Sequence, residues 1–114
     1  MKAYLLFGLL FLAACTPEVT HITPQELEAQ IDEVFLLDVH VPEQEHITGT
    51  DAVIPYNQLE ENSDLLPSDK DEKIVVYCRS GSMSKEAAQT LLEMGYRNVE
   101  NLESGRNGWV DVYG

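Results

Sequence analysis

The apolar positions of this chain gather into short runs set between polar stretches. Ile74-Val75-Val76-Tyr77 is a block of strand formers without alternation, the pattern of a strand buried on both faces of a parallel sheet. Val34 to Val39, VFLLDV, is a second such run and the predicted neighbour of the first. Val19 to Ile22, Ala52 to Ile54 and Asn98 to Leu102 predict further strands, the middle one an edge strand stopped by Pro55. Ala87, Ala88, Leu91 and Leu92 recur at helical spacing before Gly95, which predicts a helix from about Ser84 to Met94, with Ser82 or Ser84 capping its start. Thr23-Pro24-Gln25-Glu26 is a capping-box pattern with proline at the first helical position, opening one or two turns through Leu27 and Ile31. Asn57 to Asn62 reads as one helical turn, and Gly105 to Val110 as a closing turn or short helix with Trp109 packing back on the body. Val41 to Thr50 and Ser63 to Glu72 lack a period and read as connections. Strands alternating with helical segments predict a mainly parallel α/β sheet with right-handed crossovers and helices on both faces.

The N-terminus departs from this pattern. Lys2 is followed by an unbroken apolar segment from Ala3 to Ala14, shorter than the roughly 20 residues that span a bilayer. It ends in Leu12-Ala13-Ala14-Cys15, which resembles a bacterial lipobox; the resemblance implies a signal peptide over residues 1–14, a lipidated Cys15 as the mature N-terminus, and a short tether through residue 18. The alternative is an ordinary signal or an uncleaved anchor with a chance cysteine. Residues 19–114 are then one domain, long enough to bury a core without staples. The expected location is the bacterial cell envelope, facing the periplasm. Thr16, in place of the aspartate that resembles an inner-membrane retention signal, leans towards the outer membrane.

Charge narrows the partners. Twenty acidic residues against seven basic ones give a net charge of −13, which repels nucleic-acid backbones and anionic head groups, so membrane contact is expected through the lipid alone. Lys73, Arg79 and Lys85 reverse that sign in a stretch without acids. Cys78 lies within it, at the carboxyl end of the predicted Ile74 strand, where open α/β sheets bind ligands. Arg79-Ser80-Gly81-Ser82-Met83 is small and mostly polar, so its N–H groups can form an anion cradle at the helix start. Such a cradle lowers a thiol pKa. The bland alternative is a buried structural thiol.

YCRSGSMS, the helix after it and GYRNVENLESGRNGW, with LLDVHVPEQEHITG upstream, resemble a rhodanese-like (sulfurtransferase) domain from about Val34 to Trp109. The chain departs from that pattern at Met83, where the loop usually carries a basic residue, at His40, where arginine is common, and at Ser104-Gly105 in place of a glycine pair. The resemblance implies that Cys78 carries sulfur as a persulfide. It also implies that Arg79, Ser80, Gly81, Ser82, Met83 and Ser84 bind the substrate, with Asp38 and His46 structural beside the site. Partners would be a small sulfur donor, thiosulfate or a persulfide, and a thiol or cyanide acceptor. No cofactor is expected, no metal either since Cys78, His40 and His46 lack tight ligand spacing, and the chain is expected to act as a monomer.

Rival readings remain on the residues alone. A cysteine phosphatase needs an arginine fork six residues after its cysteine, and Ser84 stands there. A cysteine hydrolase needs a nearby base, and His21, His40 and His46 all lie outside the Cys78 loop. A non-catalytic sulfur carrier or partner-binding module, or a structural lipoprotein on the same fold, would share every motif.

Overall fold

A computed structural model of the chain describes residues 18–114, so the expected signal peptide, Cys15 and most of the expected tether lie outside the described residues. The elements run β1 (Thr20–Ile22), α1 (Pro24–Glu28), a 3-10 turn (Ile31–Glu33), β2 (Phe35–Asp38), β3 (Ala52–Val53), a 3-10 turn (Ser63–Leu65), β4 (Ile74–Tyr77), α2 (Ser82–Glu93), β5 (Val99–Leu102) and α3 (Gly105–Tyr113). The five strands form one sheet in the order β1-β5-β4-β2-β3, every pair parallel. Phe35 to Asp38 align with Ile74 to Tyr77 residue for residue, which makes the two apolar runs central neighbours.

All four β4 residues are buried because helices cover both faces of the sheet. Ile74, Val76 and Val99 pack with Ala87, Ala88 and Leu91 of α2. Val75, Tyr77 and Leu102 face the other way and pack with Leu27 of α1, with Trp109 of α3 against them. Alternate side chains of one strand thus feed two cores, which is why the run shows no polar alternation.

Local chemistry sets the ends. Thr23 caps α1 as its capping box predicts: its hydroxyl accepts from Glu26 N at 3.1 Å and the Glu26 carboxylate accepts from Thr23 N at 2.9 Å. Gly95, at φ 101°, ends α2 in a Schellman arrangement, with Gly95 N donating to Leu92 O and Tyr96 N to Leu91 O, both at 3.0 Å. Two expectations change. Asn57 to Asn62 is a run of turns, and the helical turn lies just downstream at Ser63–Leu65, within the stretch read as connection. Leu59 supplies the only buried side chain of the earlier segment, too little apolar surface to hold a helix there. The final element is a helix that runs on to Tyr113, whose ring lies 4.5 Å from that of Trp109.

Tyr77 pins the long β2–β3 connection to the sheet. Its buried hydroxyl accepts from Ile47 N at 2.9 Å and lies 2.8 Å from Thr50 Oγ1. Burial pushes the phenol far above its ordinary pKa, so it stays a donor throughout the stable range. Tyr77→Phe leaves a buried N–H without its acceptor and should cost about 1–3 kcal/mol in urea unfolding. A variant as stable as the parent would show that the connection is held elsewhere.

Candidate active site

Cys78 is the first residue beyond β4, and the chain turns sharply there. Gly81, at φ 112°, caps α2 in the left-handed region, and a Cβ on it would run into the Glu103 carbonyl. The turn aims donors at the sulfur. Gly81 N lies 3.0 Å from Cys78 Sγ, Ser84 N 3.4 Å and Ser84 Oγ 3.4 Å, while that hydroxyl also reaches Gly81 O at 3.2 Å. Burial of the thiol, which is 1% exposed, pushes its pKa up. Hydrogen bonds from the Ser84 hydroxyl, then from the Ser84, Gly81 and Ser80 amides, outweigh that and bring it below the ordinary value.

The expected site residues separate into groups. Ser84 and Gly81 bond the sulfur, and the Ser80 amide supports its ionised form. Ser82 and Met83 belong to the first turn of α2, because the helix begins two residues before the expected Ser84. Gly81 permits the early start: its left-handed backbone completes the turn in three residues. Neither serine caps the helix, since the cap has no side-chain bond and Ser84 is committed to Gly81 O and the sulfur. Met83 is half-buried against the apolar cluster that contains Cys78. Arg79 is exposed on the loop.

The basic cluster breaks up. Lys73 precedes β4, about 16 Å of strand away from Cys78, where it bonds Gln30 at 2.9 Å and pairs with Glu100 at 3.3 Å. Only Arg79 and Lys85 remain on the sulfur's side of the strand. Sequence proximity misled here because a strand carries its first and last residues to opposite ends of the sheet.

Asp38 organises the neighbouring wall. Wholly buried at the end of β2, it accepts from His40 N at 3.0 Å, from Gln44 Nε2 at 3.2 and 3.3 Å, and meets His46 Nδ1 at 2.7 Å. His46 Nε2 meets Glu43 at 3.0 Å, so both of its ring nitrogens are occupied and its pKa is raised, chiefly by Asp38 and then Glu43. Asp38 and His46 are thus bonded to each other and to the connection that follows β2. Among the described residues, no group of three His, Cys, Asp or Glu side chains converges as a metal site.

Three features escaped the residue pattern. Arg106 N donates to Cys78 O at 2.9 Å and Asn107 N to Arg79 O at 3.0 Å, so the start of α3 braces the loop from behind. Gly105, at φ 65°, permits that approach, since a Cβ would meet the Arg79 carbonyl. The Arg106 side chain reaches Glu45 at 3.2 Å, joining α3 to the β2–β3 connection. In sequence, Gly105 to Val110 reads as a closing turn or short helix, with no contact to the Cys78 loop indicated.

Residues 23–111 match the Rhodanese-like domain family. The chain belongs to that family. It is 41% identical over 68 residues to the thiosulfate sulfurtransferase PspE of Escherichia coli (strain K12), a match covering 57% of this chain and 64% of that relative. It is 31% identical over 94 residues to the thiosulfate sulfurtransferase GlpE of Coxiella burnetii (strain RSA 331), covering 81% of this chain and 85% of GlpE. The crystal structure of a rhodanese-related protein from Thermoplasma volcanium superposes with a TM-score of 0.68 at 26% identity, covering 82% of this chain and 93% of that one. The rhodanese-like assignment fits the parallel sheet and the loop at the carboxyl end of β4.

Two outcomes test this geometry. Ser84→Ala removes the hydroxyl from the sulfur, so the pH midpoint for iodoacetamide alkylation of Cys78 should rise; an unchanged midpoint would leave the amides alone responsible. The His46 pKa is raised in the folded chain, so its pairing with Asp38 stabilises fully below the unfolded value of about 6.5 and fades as pH rises through the folded one. The stability difference between wild type and His46→Gln should therefore shrink from pH 5.5 to pH 8.5, and a constant difference would contradict the pairing.

Proposed function

We propose that this rhodanese-like domain is a sulfurtransferase that carries a sulfane sulfur as a persulfide on Cys78. The observation that carries the reading is the set of amide and hydroxyl donors closed around one buried sulfur. In the first step the Cys78 thiolate attacks the outer sulfur of thiosulfate, the S–S bond of the donor breaks, and sulfite leaves with the electron pair. No proton transfer is needed, because sulfite departs as an anion. The second step passes the outer sulfur to a thiol or cyanide and returns the Cys78 thiolate by the exchange chemistry of disulfides. The donors that hold the thiolate serve the persulfide anion between the two steps. Two sulfurtransferase relatives, PspE and GlpE, support the same reading.

Ser80, Gly81, Ser82 and Ser84 form the cradle and its rim, with Arg79 as the cation for an anionic donor. Met83 brings a thioether where the family usually places a cation, which favours a persulfide or another apolar-tailed donor over thiosulfate. Outside the described residues, the apolar segment and Cys15 support a lipid-anchored domain facing the periplasm, on the outer membrane by the Thr16 criterion. Among the described residues, no helix is long and apolar enough to cross a membrane.

Intact-mass measurement of the full chain after brief exposure to thiosulfate, with cyanide added to half, tests the cycle. A gain of one sulfur on Cys78 that cyanide removes over repeated rounds is expected. A single stoichiometric transfer without turnover would mark a carrier, and a folded, alkylatable Cys78 that gains no sulfur from thiosulfate or polysulfide would overturn the reading. Met83→Arg should lower the thiosulfate KM about tenfold, the worth of one charge-assisted hydrogen bond of about 1.5 kcal/mol. An unchanged KM would remove Met83 from donor selection.

A further inference from the structure

The second half of the proposed cycle raises a proton problem that the first does not. An alkyl thiol, with a pKa near 8.5, is mostly protonated at neutral pH. It must lose that proton to attack a persulfide. The cradle around Cys78 supplies donors only, so the proton needs another acceptor near the sulfur.

Three histidines are available, and the structure separates them. His21 lies on β1, two strands from β4, with Nδ1 3.2 Å from Asn101 Nδ2. His46 has both ring nitrogens engaged by carboxylates. His40 differs from both. Asp38 pairs with Tyr77 in register, and Val39 N continues the ladder to Tyr77 O at 2.9 Å. Both chains therefore leave the sheet side by side at the end that holds the Cys78 loop, and Arg79 of that loop lies near enough to act on the His40 ring. The backbone of His40 is fixed by Asp38, yet Nδ1 and Nε2 are both buried without a hydrogen-bond partner among the described residues. A buried ring nitrogen left unpaired is costly, and native sites rarely bear one without a use.

We propose that His40 is the general base of the second half-reaction, accepting the proton of the incoming thiol from the β2 side of the Cys78 loop. This rests on the sulfur-transfer reading. The acceptor R–SH gives its proton to His40, and the resulting thiolate attacks the outer sulfur of Cys78–S–S⁻. The S–S bond breaks, R–S–S⁻ leaves, Cys78 recovers its thiolate, and the imidazolium returns its proton to solvent. Both nitrogens are covered in the resting site, so the thiol reaches the ring by displacing part of the short Val41 to Gln44 segment, in which Val41, Pro42 and Glu43 are exposed. The charged groups acting on His40 are Arg79 from the β4–α2 loop and Asp38 from β2. Burial first, and then Arg79, hold its pKa below the ordinary value against the pull of Asp38, so the ring is neutral and ready to accept at neutral pH.

The test isolates the second step by loading the full chain with polysulfide, removing excess donor and following loss of the extra sulfur by intact mass. 2-Mercaptoethanol and thionitrobenzoate serve as acceptors, the latter already ionised at neutral pH. With His40→Gln, transfer to 2-mercaptoethanol should slow by at least about tenfold, a modest share of the roughly 10²–10⁴ that general bases supply, and transfer to thionitrobenzoate by no more than about twofold. In wild type the alkyl-thiol rate should rise through a pKa below the ordinary histidine value, and the variant should lose that limb. Equal slowing with both acceptors would assign His40 a packing role only, and no slowing would remove it from the reaction. A Cys78 that takes no sulfur from polysulfide overturns the sulfur-transfer reading and this one with it, whereas a loaded Cys78 with an acceptor-independent effect overturns His40 alone.

Discussion

One buried sulfur atom collects the hydrogen bonds that the end of β4 and the start of α2 would otherwise give to water. A thiol is a poor acceptor and a thiolate a good one, so donors fixed around it favour the ion even where burial opposes the charge. That arrangement stands only if the chain turns within three residues between strand and helix. The turn in turn requires Gly81 in a left-handed conformation pressed against the Glu103 carbonyl. Much of the architecture serves this constraint. β4 is buried on both faces and fixes the base of the loop, α2 supplies its roof, and the start of α3 bonds the carbonyls of Cys78 and Arg79 from behind.

A second wall is built on another buried charge. Asp38 gathers His40 N, Gln44 and His46, which anchors both ends of the exposed Val41 to Glu43 stretch to the end of β2. Tyr77 secures the far part of the same connection at Ile47 and Thr50. Arg106 and Glu45 then span from that wall to α3. The ion pair is mostly exposed on the glutamate side and contributes little stability by itself. Its effect is positional, since it joins the two elements that flank the cysteine loop.

Much of this could be read from the residues. Uninterrupted apolar runs announced the central strands, because burial on both faces removes polar alternation. The capping box at Thr23 and the glycine at 95 marked helix ends through backbone requirements that few other residues meet. Cys78 stood out by its place at a strand end before a small, polar loop. Other features depend on contacts between distant segments and left no local trace. Lys73 seemed to belong with Arg79, but β4 separates the two at opposite ends of the sheet. The early start of α2 follows from Gly81 meeting Glu103, a contact across 22 positions, and serine capping preferences pointed two residues too late. His40 lies far from Cys78 in sequence, and the parallel pairing of β2 with β4 brings the chain before it and the chain before Cys78 to the same end of the sheet.

The loop amides and Ser84 favour ionisation of Cys78 in the folded chain against the opposing effect of burial. The most direct measurement is the ultraviolet thiolate absorbance of wild type against pH, taken as the difference from Cys78→Ser so that Cys15 cancels. A midpoint below the ordinary thiol value is expected, moving to that value or above when the chain is unfolded in urea. A midpoint at or above the ordinary value in the folded chain would show that burial wins over the donors, and would contradict the account of the site.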